Sequence, residues 1–473
     1  MKTNKINGIS VFALVMLISG AVDNIRNLPA SALFGTSLIF FFIFSAVVFL
    51  IPTALVSAEL ASRSDEKSGI FHWTCEAFND KVGFLAIWLQ WISNLVWFPT
   101  ILSFIAGTAA YFFSPDLAQS KTYLVSVILG TFWFLTFINL KGLTVSTKFT
   151  SFCAIVGLVI PMTLLITLAA TWIFQGHVLD IHFTAKNMIP AFHESQNWIS
   201  LTAIMTAFLG IELAAVHVKD VANPQKAYPK ALLLSVLLIL GTMILGSLSI
   251  AIILPKDQIN LVDGTLQAFS QFFTAYHISW LMPVITSFIL IGAAGGLISW
   301  VISPARGLLQ AAQHDYLPTF LKKENKYGVA SRLLITQAVL VSVFCLAFLF
   351  MPSVNGSYWL LTALSTQLYI LMYIILFIVG LVMRYKQPHV NSNFKIPGGK
   401  IGLWIVCLLG LIGCGITLVV GFIPPKGIDV GSLFHYEIIF VVGMAIMILP
   451  VLFFYSYKNK KKVMANTVMP ACF

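Results

Sequence analysis

Gly20-Ala21-Val22-Asp23-Asn24-Ile25-Arg26-Asn27-Leu28-Pro29 lies inside an apolar run from Leu14 to Phe34, and Gly210-Ile211-Glu212 lies inside a second one from Trp198 to Val218. A charge at the bilayer centre costs at least ~2.5 kcal/mol, so an ionisable residue at that depth faces a cavity or a partner. Asp23 and Asn24 follow within four residues of Gly20, and Pro29 removes a backbone donor, so the first run is expected to open as a helix. Two interrupted hydrophobic segments in matching positions of two halves are the sequence mark of a transporter substrate site. Packing glycines that let neighbouring helices approach closely are the alternative for Gly20 and Gly210.

Working outward from these runs, the 473 residues are 59% hydrophobic and only 10% charged, which makes the chain an integral membrane protein. A membrane-crossing helix needs roughly 20 apolar residues. Twelve such segments are expected, at about 9–33, 36–59, 82–113, 122–140, 150–174, 198–218, 229–254, 278–302, 332–351, 357–383, 401–423 and 436–457. Their apolar character runs all round rather than alternating, which excludes the roughly ten-residue strands of an outer-membrane barrel. Lipid offers no partner to an unpaired backbone amide, so the segments are helices. The fold class is therefore all-α and polytopic, with residues 1–457 as one transmembrane domain and 458–473 as a short basic tail.

The net charge of +11 is not a nucleic-acid signature, because of where it sits. With a cytoplasmic N-terminus, 23 Lys and Arg fall on the inner side, against only Lys121, Lys186, Lys256 and Lys426 outside. That bias predicts both termini in the cytoplasm, in a bacterial-type inner membrane. Lys458, Lys460, Lys461 and Lys462 suit anionic headgroups. The first apolar run lacks a convincing cleavage site and reads as a span rather than a signal peptide. Six cysteines form no close pair, so neither a disulfide framework nor a zinc site is indicated. No metal and no cofactor is expected. Without a Gly-x-x-x-x-Gly-Lys-Ser/Thr run, ATP-driven pumping is disfavoured, and no nucleophile or metal constellation suggests an enzyme.

Several local patterns carry a resemblance. Ser57-Ala58-Glu59-Leu60-Ala61 precedes Ser68-Gly69-Ile70-Phe71-His72-Trp73, and Gly210-Ile211-Glu212-Leu213-Ala214-Ala215-Val216-His217-Val218-Lys219-Asp220-Val221-Ala222-Asn223-Pro224 continues to Tyr228-Pro229-Lys230-Ala231. Ser299-Trp300-Val301-Ile302-Ser303-Pro304-Ala305-Arg306-Gly307 and Ile396-Pro397-Gly398-Gly399-Lys400 extend the match. Over roughly 9–457 the chain resembles the amino acid–polyamine–organocation transporter superfamily, most of all its glutamate/GABA antiporter branch. The resemblance implies two five-helix inverted repeats, about 9–174 and 198–383, followed by two extra helices at about 401–457. It also implies a substrate pocket between the opened stretches of spans 1 and 6.

The substrate-binding residues expected on this basis are Gly20, Ala21, Asp23, Asn24 and Arg26 from the first break, and Phe208, Gly210, Ile211 and Glu212 from the second. Gly296 and Trp300 of span 8 and Tyr369 and Tyr373 of span 10 complete the set. Ringed by Phe208, Leu209, Ile211 and Leu213, Glu212 suits exchange of a proton or capture of an ammonium group. A structural hydrogen bond to a neighbouring broken helix is its bland alternative. Glu212 and Asp23 are the expected proton-coupling residues. Asp23 and Arg26, three apart, either form an intrahelical ion pair or face the cavity with Asn24 and Asn27. Arg26 can receive a carboxylate bidentately if it faces that cavity. Gly292-Ala293-Ala294-Gly295-Gly296 reads first as a close packing face, with Trp300 as a pocket floor on the other reading. Tyr369 and Tyr373 follow Thr362, Ser365, Thr366 and Gln367 in a polar stripe, open to gating or helix–helix bonding. Trp88, Trp91 and Trp97 read as core. His177, His182 and His193 read as solvated loop residues before they read as a pH sensor. The tail is too short to plug the path.

Function follows as a secondary transporter of an amino acid or amino-acid-derived amine, working by exchange or proton coupling. Polyamine or organic-cation carriage is one rival, and a channel or transport-derived receptor another. The side chain of the cargo, the coupling ion and the oligomeric state are not legible.

Overall fold

The computed structural model describes residues 10–63, 69–142, 147–190, 198–214, 223–312, 314–387, 390 and 392–468, and among these it is helical without strands. Nine of the helices are long and apolar enough to cross a membrane: Gly35–Ala61, Asp80–Ala110, Lys121–Leu140, Phe152–Phe174, Pro224–Ile253, Ser331–Phe350, Val354–Lys386, Gly399–Val420 and Leu433–Lys460. A tenth crossing is the bent pair Val11–Gly20 and Ile25–Ala32, which meet at 43°. Ser200–Leu213 and Ser279–Gly295 are shorter apolar helices. Among the described residues each of the twelve expected segments thus holds an apolar helix, and the sixth is interrupted after Phe208.

Polar residues at the ends of apolar runs start these helices by satisfying the first free amides. Asn79 accepts from the amides of Lys81 and Val82, Ser120 from Tyr123, Ser353 from Gly356 and Ser432 from His435. Two interior prolines each follow a π-turn. Ala46–Leu50 precedes Ile51-Pro52, and Ile155–Val159 precedes Ile160-Pro161. A proline clashes with the carbonyl four residues back and cannot donate to it, and a wider turn accommodates that loss. The second of these turns carries Gly157, which reaches the cavity described below.

Outward faces carry exposed Phe12, Phe134, Phe174, Leu237, Ile401, Val419 and Phe434, as lipid-facing surface requires. At one end of the bundle a bidentate ion pair joins buried Glu59 to partly buried Arg384, and the amide of Ile396 donates to the same carboxylate at 2.9 Å. This pins the ends of Gly35–Ala61 and Val354–Lys386 to the segment leading into Gly399–Val420. The small residues of Met282–Ala312 pack closely, as their composition suggests. Gly292 meets Gly157 backbone to backbone, and Gly295 lies against Cys153. Trp88 and Trp91 pack together at 5.1 Å in the core. His177 stacks on Trp172 at 4.1 Å, whereas His193 lies outside the described residues, as do Ser68 and the run from Ala215 to Ala222.

Candidate substrate cavity

The first break is built by its own polar residues. Val11–Val22 ends at Asp23, whose backbone is extended, and Asn24 is extended too, at φ −154° and ψ 142°. Asn24 then restarts the chain: its Oδ1 accepts from the Asn27 amide at 3.1 Å, while its Nδ2 donates to the Val22 carbonyl at 3.2 Å. A single 3-10 turn, Ile25–Asn27, leads into Leu28–Ala32 with Pro29 in its first turn, where a missing amide costs nothing. Gly20 therefore sits in the last turn of the helix rather than in the unwound stretch, which begins three residues later than its position suggested.

The second break is backbone-made. Ser200–Phe208 stops at Leu209, Gly210 turns through φ +94°, and Ile211–Ala214 resumes. Only glycine adopts that φ without penalty. The freed Gly210 amide donates to the Tyr373 hydroxyl at 2.8 Å.

A cavity of about 370 Å³ separates the two breaks. Its wall includes Gly20, Asp23, Asn24, Arg26 and Asn27 from one side and Leu209 and Gly210 from the other. Asn94 and Trp97 of Asp80–Ala110, Gly157, Gly292 and Tyr369 close it. Of the expected substrate residues, Gly20, Asp23, Asn24, Arg26, Gly210 and Tyr369 are thus brought together. Phe208, Ile211, Glu212 and Tyr373 are not among the lining residues: Phe208 packs edge-on to Phe42 at 5.9 Å, and Tyr373 packs on Phe49 at 4.9 Å. The positive φ at Gly210 turns the chain, and the Ile211 and Glu212 side chains after it are buried away from the cavity. Ala21, Gly296 and Trp300 lie on described backbone but outside the described side-chain surroundings.

Glu212 is 4% exposed and saturated with donors. Tyr369 donates to Oε1 at 2.7 Å, Gln90 Nε2 to the same oxygen at 3.2 Å, and the Tyr373 hydroxyl to Oε2. Tyr369 is therefore both cavity wall and partner of the carboxylate. Three neutral donors satisfy a buried carboxylate without a counter-ion, and its protonation would displace one of them.

Asp23 and Arg26 form no ion pair among the described residues, which removes the intrahelical-pair reading. Asp23 Oδ2 accepts from Thr242 at 2.7 Å. Arg26 Nη1 donates to Thr100 at 2.9 Å and to Tyr358 at 3.2 Å, and its guanidinium lies 5.2 Å from the centre of the Trp97 ring. Gln90, Asn94, Thr100, Thr242 and Tyr358 did not stand out in the sequence. Gln90, Asn94 and Trp97 do recur at helical spacing inside an apolar span, and that polar stripe was the available signal.

The first break is capped by Gly264–Ala275. Gly264 packs on Pro29, and Thr265 donates to the carbonyl of Ile25 at 3.2 Å. The preceding Asp263 is buried and accepts from Tyr111 at 2.9 Å; burial outweighs that bond and pushes its carboxyl up to about 6. Among the described residues no group of three or more His, Cys, Asp or Glu is placed to hold a metal ion.

The chain is 40% identical to the uncharacterized transporter lpg1691 of Legionella pneumophila over 93% of its length and 95% of that protein's. It is 28% identical to a glutamate/gamma-aminobutyrate antiporter of Lactococcus lactis, covering 96% of this chain and 91% of that one. A probable agmatine/putrescine antiporter of the same species is 21% identical, covering 88% of each chain. The amino acid permease model matches residues 9–445, nearly the whole chain, and the protein belongs to that family.

Proposed function

We propose that this membrane protein is a secondary active transporter of amino acids or amino-acid-derived amines, working by substrate exchange or proton coupling with alternating access. The observation that carries the reading is the cavity lined by both helix breaks at once. Opened backbone at membrane depth is tolerated only where it lines a cavity or is buried in protein. Such ends suit a zwitterion, with partial positive charge at half-helix N-termini. The glutamate/gamma-aminobutyrate and agmatine/putrescine relatives are both antiporters by name, which favours exchange.

In this reading residues 1–457 form one transporter domain of twelve spans, with inverted repeats at about 9–174 and 198–383 and two further helices at about 401–457. Both termini are cytoplasmic, in a cell membrane. Cargo meets Gly20, Asp23, Asn24, Arg26, Gly210 and Tyr369 in the cavity. Phe208, Ile211 and Tyr373 support it from outside the wall, and Ala21, Gly296 and Trp300 remain proposed cargo contacts. Asp23 and Glu212 are the proton-exchanging carboxylates, and Tyr369 connects the buried Glu212 to the cargo. Rocking of one helix group against the other changes the side that is open.

The test is counterflow in proteoliposomes with a broad panel of amino acids and amines at two pH values. A carrier saturates and is stimulated by cargo on the far side. Flux that rises almost linearly with gradient, or no cargo-dependent counterflow at all, contradicts the reading.

A further inference from the structure

We propose that the cavity sorts cargo by net charge, Arg26 and Asp23 being a matched pair that admits a zwitterion and rejects a diamine. The inference rests on the transporter reading and adds to it the rule of selection.

Arg26 is 4% exposed, yet no carboxylate pairs with it among the described residues. Thr100 and Tyr358 both hold Nη1, and no hydrogen bond reaches Nε or Nη2 among those residues. The planar fork is thus gripped on one nitrogen and supported by the Trp97 face, leaving its other edge for an anion. A guanidinium buried without a counter-ion is unfavourable, so an arriving carboxylate gains what the empty site lacks. Asn27, also 4% exposed and in the same wall, has a buried Nδ2 with no partner among the described residues. The two donors are neighbours in one turn and share one unmet need.

Asp23 supplies the opposite sign. Thr242 occupies Oδ2, while Oδ1 is buried without a partner among the described residues. Among the described lining residues there is no other Asp, Glu, Lys or Arg, and Glu212 lies outside the wall with its oxygens engaged. With Asp23 ionised, the wall is therefore net neutral. A zwitterionic amino acid keeps it so and answers both side chains, ammonium to Asp23 and carboxylate to Arg26. A diamine brings two positive charges to one carboxylate and sets one of them against an unanswered guanidinium, which is rejection by an unpaired like charge. Thr100 and Tyr358 act through Arg26 and are positioning residues.

The experiment uses the full chain in proteoliposomes, with a neutral zwitterionic amino acid and putrescine as competing probes in counterflow. The wild type is expected to exchange the zwitterion and to exclude putrescine. Arg26→Gln should reduce the zwitterion-to-diamine ratio by about 10- to 100-fold, the range for losing a charged hydrogen-bond partner. Arg26→Lys keeps the charge and should keep the exclusion, with a raised KM for the zwitterion. Asp23→Asn should lose zwitterion exchange without gaining putrescine. Tyr358→Phe should raise KM for the zwitterion while kcat is largely retained, and it remains informative if Arg26→Gln does not fold. An unchanged ratio in folded Arg26→Gln, or an unchanged KM in both Tyr358→Phe and Arg26→Lys, overturns the charge-sorting rule. A wild type that prefers putrescine overturns it too while leaving the transporter reading intact, whereas a wild type that exchanges nothing across a broad panel defeats the transporter reading itself.

Discussion

The two helix breaks face one cavity but present it with different chemistry. The first, 23–27, offers side chains: Asp23, Asn24, Arg26 and Asn27 all line the wall. The second, 209–210, offers backbone, with Leu209 and Gly210 in the wall and its one carboxylate, Glu212, buried outside it. The contrast follows from local geometry. A break made by extended Asp23 and Asn24 keeps its side chains at the opening, whereas a break made by a glycine at φ +94° turns the following residues into the protein. On the proposed reading, the first break recognises cargo and the second passes its arrival to a protonatable group through Tyr369.

The largest expected effect is at the second break. Glu212→Gln should reduce uptake driven by a proton gradient to background while leaving the yield of folded protein close to wild type. Equal loss of fold and uptake would reduce Glu212 to a structural acceptor and erase the contrast. Tyr373→Phe comes next, because it leaves the Gly210 amide and one Glu212 oxygen without their partner. A buried group left unsatisfied costs about 1–3 kcal/mol, so kcat/KM for exchange should fall by roughly 5- to 100-fold. If it does not fall, Tyr373 is not the strut that sets this break.

Thr242→Val tests the first break more gently. It frees Asp23 Oδ2, and KM is expected to rise roughly three- to tenfold with kcat little altered. A change in kcat alone would place Asp23 outside cargo binding. A further effect concerns the cap over the first break and is read in stability rather than transport. Asp263 has its carboxyl raised from 3.8 to about 6 by burial, so the folded state holds that proton more tightly than the unfolded chain. The resulting stabilisation is complete below about pH 3.8 and is lost as pH rises through about 6, a difference worth about 3 kcal/mol. The thermal midpoint of the purified protein should fall across that window, and Asp263→Asn should remove that component. An identical fall in Asp263→Asn would acquit the carboxyl.

Much of the architecture was readable because lipid imposes a simple rule. Long apolar runs are helices, and carboxylates or glycine-proline interruptions within them mark departures. The break at Gly210 was located to within a residue. That at Gly20 was placed early, since the residues that open the chain are Asp23 and Asn24, whose side chains replace helical hydrogen bonds. The pairings across the bundle were not readable: Arg26 meets Tyr358, 332 positions away, and Thr242 meets Asp23, 219 away. Nothing in local periodicity encodes such partners. Glu212 was recognised as exceptional, but its depth behind Tyr369 depends on a backbone turn that composition does not specify.

The most direct test of the central claim is cargo protection of single cysteines at both breaks. Asn24→Cys and Leu209→Cys, each in a background without the native cysteines, are treated with a small membrane-permeant thiol reagent while the exchanged amino acid is titrated. A shared cavity predicts that both thiols are protected with the same half-maximal concentration. Protection at one site only, or at neither, would contradict it.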